Sequence, residues 1–141
     1  MNILLIEDNE GDILLTREAL ESGKLTSNIE VLKNGELAIK YLTDLITQPV
    51  KNFPHIILLD INLPKNNGQE VLKFIKGNDA LKQIPVIMLT TSSSEKDIMT
   101  SYLNQANCFI MKPVDINSFI EIIMKIEEFW GSIVCLPVFE K

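Results

Sequence analysis

Apolar and polar residues alternate in blocks along this chain. Five short apolar runs stand at residues 3–6, 29–32, 56–59, 86–89 and 108–111. Three of them are nearly continuous, the pattern of strands in a parallel sheet covered on both faces. The run at 29–32 is broken by Glu30 and reads as an edge strand. Between the runs, apolar residues fall at helical spacing. Residues 11–21 carry Leu14, Leu15 and Ala19, with Gly23 as a C-terminal cap, and residues 35–46 carry Ala38, Tyr41, Leu42 and Leu45. Residues 69–76 carry Val71, Leu72 and Ile75, residues 95–104 carry Ile98, Met99, Tyr102 and Leu103, and residues 115–130 carry Phe119, Ile123 and Ile126. The stretch 47–54 holds two prolines and reads as a loop.

Strand and helix thus alternate five times, which predicts an α/β fold: a five-stranded parallel sheet with right-handed crossovers and helices on both faces. The doubly wound order 2-1-3-4-5 fits, with a ligand crevice at the C-terminal strand ends. What ends each run is therefore informative. The first run ends in Glu7-Asp8, the third in Asp60, the fourth in Thr90-Thr91 and the fifth in Lys112-Pro113. In a parallel sheet these ends share one edge, so three carboxylates, a hydroxyl and an ammonium group converge. Singly, each has an ordinary reading: an Asp after a strand caps a helix or makes a turn, and a Lys-Pro is a loop. Together they are chemically complementary. Crowded carboxylates need a cation, and an oxygen-only donor set suits a hard one such as Mg²⁺. A metal and a lysine facing a carboxylate and a hydroxyl suit phosphoryl transfer, with an aspartate able to act as nucleophile.

Composition narrows the field. The chain has 141 residues, 46% hydrophobic and 23% charged, enough for one packed domain and too apolar for disorder. Its net charge of −6 argues against sequence-independent nucleic-acid binding. No apolar run approaches a membrane span, and the first residues are too short a run for a secretory signal, so a cytoplasmic location is expected. Cys108 and Cys135 form no disulfide framework or zinc spacing, and His55 reads as a polar residue entering a strand. The expected organisation is a domain over residues 1–130 and an apolar tail over 131–141, without room for a separate output module.

The segments Leu5-Ile6-Glu7-Asp8, Leu58-Leu59-Asp60-Ile61-Asn62-Leu63-Pro64, Gly68, Pro85-Val86-Ile87-Met88-Leu89-Thr90 and Lys112-Pro113 resemble, in order, the motifs of response-regulator receiver domains of two-component signalling. Further likeness to the stand-alone receivers paired with bacterial, mainly cyanobacterial, phytochrome kinases lies in Leu59 to Lys65, Asn107-Cys108-Phe109-Ile110 and Ile126-Glu127-Glu128-Phe129-Trp130. The resemblance implies a flavodoxin-like receiver fold and a signalling protein, not a turnover enzyme, that assists its own phosphorylation and dephosphorylation. It implies that Asp60 accepts a phosphoryl group from a histidine kinase. Mg²⁺ would be bound by Asp8 and Asp60, by the Asn62 carbonyl, and by Glu7 through water. Lys112 and Thr90 would bind phosphoryl oxygens, Phe109 would be the switch aromatic, and Gly68 would allow the turn into the third helix. Pro113 would follow a cis peptide bond. Thr91 departs from the family's usual small residue and is expected to narrow phosphoryl access.

The last helix and the tail carry more apolar residues than one buried stripe needs. Phe119, Ile122, Ile126, Phe129, Trp130, Val134 and Leu136 are candidates for a homodimer contact, with folding back onto the same domain as the alternative. Three rival functions are weaker. A haloacid-dehalogenase-like Mg²⁺-dependent phosphatase wants a second carboxylate where Asn62 stands. A flavodoxin-like nucleotide binder wants a first loop rich in Ser, Thr and Gly, whereas Glu7-Asp8-Asn9-Glu10 repels phosphate. An unphosphorylated interaction module leaves the intact acidic pocket without a purpose.

Overall fold

The computed structural model describes residues 1–49 and 52–138. Five parallel strands, β1 (Asn2–Ile6), β2 (Asn28–Leu32), β3 (Ile56–Leu59), β4 (Val86–Thr90) and β5 (Cys108–Met111), lie in the order β2-β1-β3-β4-β5. The helices between and after them are α1 (Glu10–Ser22), α2 (Gly35–Thr47), α3 (Gly68–Lys76), α4 (Glu95–Leu103) and α5 (Ile116–Glu128). The expected order and edge position of β2 are both present, and element ends differ from the sequence reading by a residue or two.

The near-continuous apolar runs have a simple cause. Successive strand residues point to opposite faces, and both faces are covered. Ile3, Leu5, Ile56, Leu58, Ile87 and Leu89 pack with α1 and α5, whereas Leu4, Ile6, Ile57, Leu59, Val86 and Met88 pack with α2 and α3. Each such side chain, fully buried, contributes about 1.5–3 kcal/mol.

Every helix starts at the edge where the strands end. Asn9, Asn34, Asn67, Ser94 and Asp115 each cap one, the side chain accepting a hydrogen bond from the backbone N–H three residues on. The positive ends of the helix dipoles therefore face the same rim as the acidic strand ends. Gly68, first in α3, is required by close approach: a Cβ there would stand 2.1 Å from the Asp60 carbonyl oxygen. Its N–H binds the Ile61 carbonyl at 2.8 Å. The β3–α3 loop leans on the start of α2, where Gly35 and Glu36 N–H groups bind the Pro64 and Lys65 carbonyls at 3.2 and 2.8 Å. Lys65 and Asn66 hold positive φ angles of 49° and 69° in that loop.

Two expectations change at the C-terminal end. Residues 129 and 130 do not continue α5. The chain widens into a π-helical turn, Phe129–Ile133, closed by the Val134 N–H on the Phe129 carbonyl at 2.9 Å. Gly131 in this turn packs against Leu25 and Met1, so close that a Cβ would lie 2.6 Å from Leu25 Cδ1. Of the proposed dimer residues, Phe119 and Ile126 are spent in the chain's own core, because their face of α5 meets the sheet. Leu136 also packs back on that core, and Ile122, Trp130 and Val134 are half-buried, which leaves Phe129 the exposed one. Residues 139–141 of the expected tail lie outside the described residues.

Candidate functional site

The crevice is built from strand ends whose backbones are fixed by the sheet ladder. Glu7 follows β1 and donates its N–H to the Leu32 carbonyl at 3.0 Å, while the Asp60 N–H after β3 binds the Ile6 carbonyl at 3.1 Å. The Lys112 N–H extends β5 pairing to the Thr90 carbonyl at 2.8 Å. This ladder bond aims Lys112 inward with an ordinary trans peptide before Pro113. No cis bond occurs among the described residues, which corrects the expected cis geometry.

Lys112 is the centre of the arrangement. Its Nζ donates to Glu7 Oε1 at 2.5 Å, Asp12 Oδ2 at 2.9 Å and Asp60 Oδ2 at 3.1 Å. The lysine and Glu7 side chains are 4% and 3% exposed, so this is a buried ion cluster and not a surface bridge. Burial alone would lower the lysine's pKa. The hydrogen bonds to Glu7 and Asp12 and the charges of Glu7 and Asp60 outweigh it and hold the ammonium above the usual lysine range. Glu7 is pushed up to about 7: burial is the main cause, the hydrogen bond and charge of Lys112 work against it, and Asp60 adds to the rise.

The remaining oxygens have partners of their own. Glu7 Oε2 accepts the Asn9 N–H at 3.2 Å, and Asp60 Oδ1 accepts the Asn62 N–H at 3.3 Å. Asn62 and Asp8 are exposed at the rim, whereas Asp60 is buried. Glu7, Asp8 and Asp60 each offer a carboxylate oxygen, all within 4.8 Å of one another. This donor set is all oxygen, doubly or triply anionic and open on the Asp8 side, which fits a hard divalent cation.

The structure also places the other predicted residues. Thr90 closes β4, fully buried, and its Oγ1 accepts the Ser92 N–H at 3.4 Å. Thr91 stands exposed beside it. Phe109 is half-buried against the α2–α3 core, and its N–H donates to the Tyr102 hydroxyl at 3.2 Å. Two features escaped the sequence reading. Asp12, the third partner of Lys112, sits in the first turn of α1 and looks like one more solvated helix residue. Its signal was the Asn9 cap, which fixes the helix start and turns that residue back over the sheet edge. The second is a polar clasp: Gln69 on α3 donates to Ser101 Oγ at 2.9 Å and accepts from Asn104 Nδ2 at 3.2 Å, joining α3 to α4.

Comparison with known proteins agrees with this geometry. Residues 3–124 match the model of the response regulator receiver domain. The response regulator Rcp1 of Synechocystis sp. is 38% identical over 135 residues, covering 96% of this chain and 92% of that protein. The crystal structure of the phosphorylated cyanobacterial phytochrome response regulator RcpA superposes with a TM-score of 0.91 at 41% identity, covering 97% of this chain and 98% of that one. The Mn²⁺-bound form of Rcp1 gives 0.89 at 38% identity, covering 97% and 99%.

Proposed function

The chain belongs to the response-regulator receiver domains, and on that premise we propose that it is a phosphoryl-accepting switch whose acceptor is Asp60. The observation that carries this reading is the buried Asp60 carboxylate with Lys112 Nζ at 3.1 Å and two further acids beside it. In the proposed step an Asp60 oxygen attacks the phosphorus of a kinase phosphohistidine. The phosphorus–nitrogen bond breaks, a phosphorus–oxygen bond forms, and the departing imidazole takes up a proton. Lys112 holds its positive charge where the transferred oxygens arrive, and Thr90 presents its hydroxyl from the end of β4.

Mg²⁺ would be held by Glu7, Asp8, Asp60 and the Asn62 carbonyl and would supply neutralisation of the phosphoryl charge. The Mn²⁺-bound structure of Rcp1 supports a divalent site. The phosphatase alternative finds no second carboxylate at position 62, and the acids that accompany Asp60 come from the end of β1 instead of a late strand.

The partner in this reading is a histidine kinase of phytochrome type, supported by the likeness to RcpA. The output is a change of surface, in a cytoplasmic protein that does not turn over a substrate. A second copy of the chain would dock on the exposed side of α5, where Ile110, Ile122, Phe129 and Trp130 line an apolar groove of about 420 Å³. The deciding experiment is incubation with a small phosphodonor and Mg²⁺ followed by intact mass. One phosphoryl group is gained by the wild type and none by Asp60→Asn. A gain that survives Asp60→Asn, or no gain at any Mg²⁺ concentration, overturns the reading.

A further inference from the structure

Two sets of carboxylates overlap in the crevice. The oxygens that can gather round a cation come from Glu7, Asp8 and Asp60. The oxygens that hold Lys112 come from Glu7, Asp12 and Asp60. A lysine ammonium has three N–H donors, and here each has one carboxylate. A cation that draws on Glu7 and Asp60 therefore draws on two of the lysine's three partners. Asp12 alone is outside the cation set.

Asp12 is also built differently. It stands on α1 instead of a strand end, with its backbone N–H fixed by the Asn9 side chain at 2.9 Å. Its carboxylate is 24% exposed against 3% for Glu7 and 8% for Asp60. Reached by water and outside the cation set, it can stay on Lys112 while the two inner carboxylates change partners.

We propose that Asp12 is a positioning residue that retains Lys112 when a divalent cation engages Glu7 and Asp60, and so weakens the lysine's competition for those two carboxylates. The proposal rests on the phosphoryl-acceptor reading of the pocket. It gives Asp12 a distinct effect from its bare charge. Without Asp12 the lysine has only the two shared carboxylates to bind, and the cation must displace it from both.

A double-mutant cycle separates the two effects. Mg²⁺ affinity of the unphosphorylated full chain is measured from amide chemical shifts for the wild type, Asp12→Asn, Lys112→Ala and the double variant. Asp12→Asn is expected to weaken Mg²⁺ binding at least about threefold more with Lys112 present than in the Lys112→Ala background. Should Lys112→Ala not fold, Lys112→Gln, which keeps part of the stem and a donor, closes the same cycle. Equal weakening in both backgrounds overturns the role of Asp12 and leaves the phosphoryl-acceptor reading intact. Absence of Mg²⁺ binding by the wild type overturns both.

Discussion

Lys112 sets the terms at the scale of the residue. Taking several charges out of water is expensive, and the expense is met only while each has an opposite partner. Removing the lysine leaves Glu7 and Asp60 buried without their cation. Lys112→Met is expected to lower the unfolding free energy by about 3 kcal/mol at pH 8. The sign of the pH dependence follows from Glu7. Its folded pKa already lies near 7, above the ordinary 4.5, and losing Lys112 removes an influence that lowers it. A folded carboxyl with a raised pKa holds its proton longer than the unfolded chain does, so the variant gains stability as the pH falls. Urea unfolding at pH 6 and pH 8 checks this: the deficit shrinks towards pH 6, and a deficit equal at both values means the lysine acts through packing alone.

The crevice was legible wherever a polar side chain terminates an apolar run, because parallel pairing sends all such ends to one edge. The candidates Glu7, Asp8, Asp60 and Lys112, which the structure brings together, were read in this way. Asp12 was not, since a carboxylate on the polar side of a helix has the same appearance whether it meets solvent or a lysine 100 residues away.

Among the elements, α4 is held least by apolar packing. Its one fully buried residue is a serine, Ser101, while Met99, Tyr102 and Leu103 are exposed. What fastens it is polar: the Gln69 clasp from α3 and the Tyr102 hydroxyl on the Phe109 N–H of β5. Gln69 follows Gly68, which lies against the Asp60 backbone, so the phosphoacceptor candidate and α4 are joined through two consecutive residues of α3. Gln69→Leu keeps the side-chain bulk and removes the clasp. Amide hydrogen exchange is expected to quicken about tenfold in α4 while β4 and α3 keep their protection, in line with local opening of a weakly packed unit. A uniform rise across the chain would instead mean general destabilisation. Periodicity located α4 correctly but could not show this weakness, because its apolar residues at helical spacing suggest a buried stripe that the fold leaves in solvent. α5 shows the converse. Its surplus of apolar residues is divided between the sheet, reached by Phe119, Ile123 and Ile126, and the groove beside β5.

The whole molecule has a chemical end and a structural end. At the end opposite the crevice, His55 joins the starts of two strands: its N–H donates to the Asn2 carbonyl, and its Nδ1 accepts the Asn2 N–H, both at 2.8 Å. An acceptor nitrogen must be unprotonated. Burial, with the nearby N-terminal charge, lowers the pKa of His55 from 6.5. A depressed histidine contributes stability that is complete above the unfolded value and is lost as the pH falls below about 6.5, where the unfolded chain takes up the proton first. Thermal midpoints from pH 7.5 down to 5 are expected to fall more steeply for the wild type than for His55→Gln, and parallel curves would rule this contribution out. Leu136, Pro137 and Val138 line a cleft beside His55 and Asn2, so the tail runs along the end of the sheet opposite the crevice.

The overlap of partners around Lys112 bears on how the protein comes into being. A newly made chain does not have to find a metal ion before its most acidic corner can close, because the lysine is a counter-ion supplied by its own sequence. Folding is thereby uncoupled from the ion content of the surroundings. In the proposed reading the burden falls later, on an arriving cation, which would have to draw Glu7 and Asp60 away from a lysine that Asp12 keeps in place.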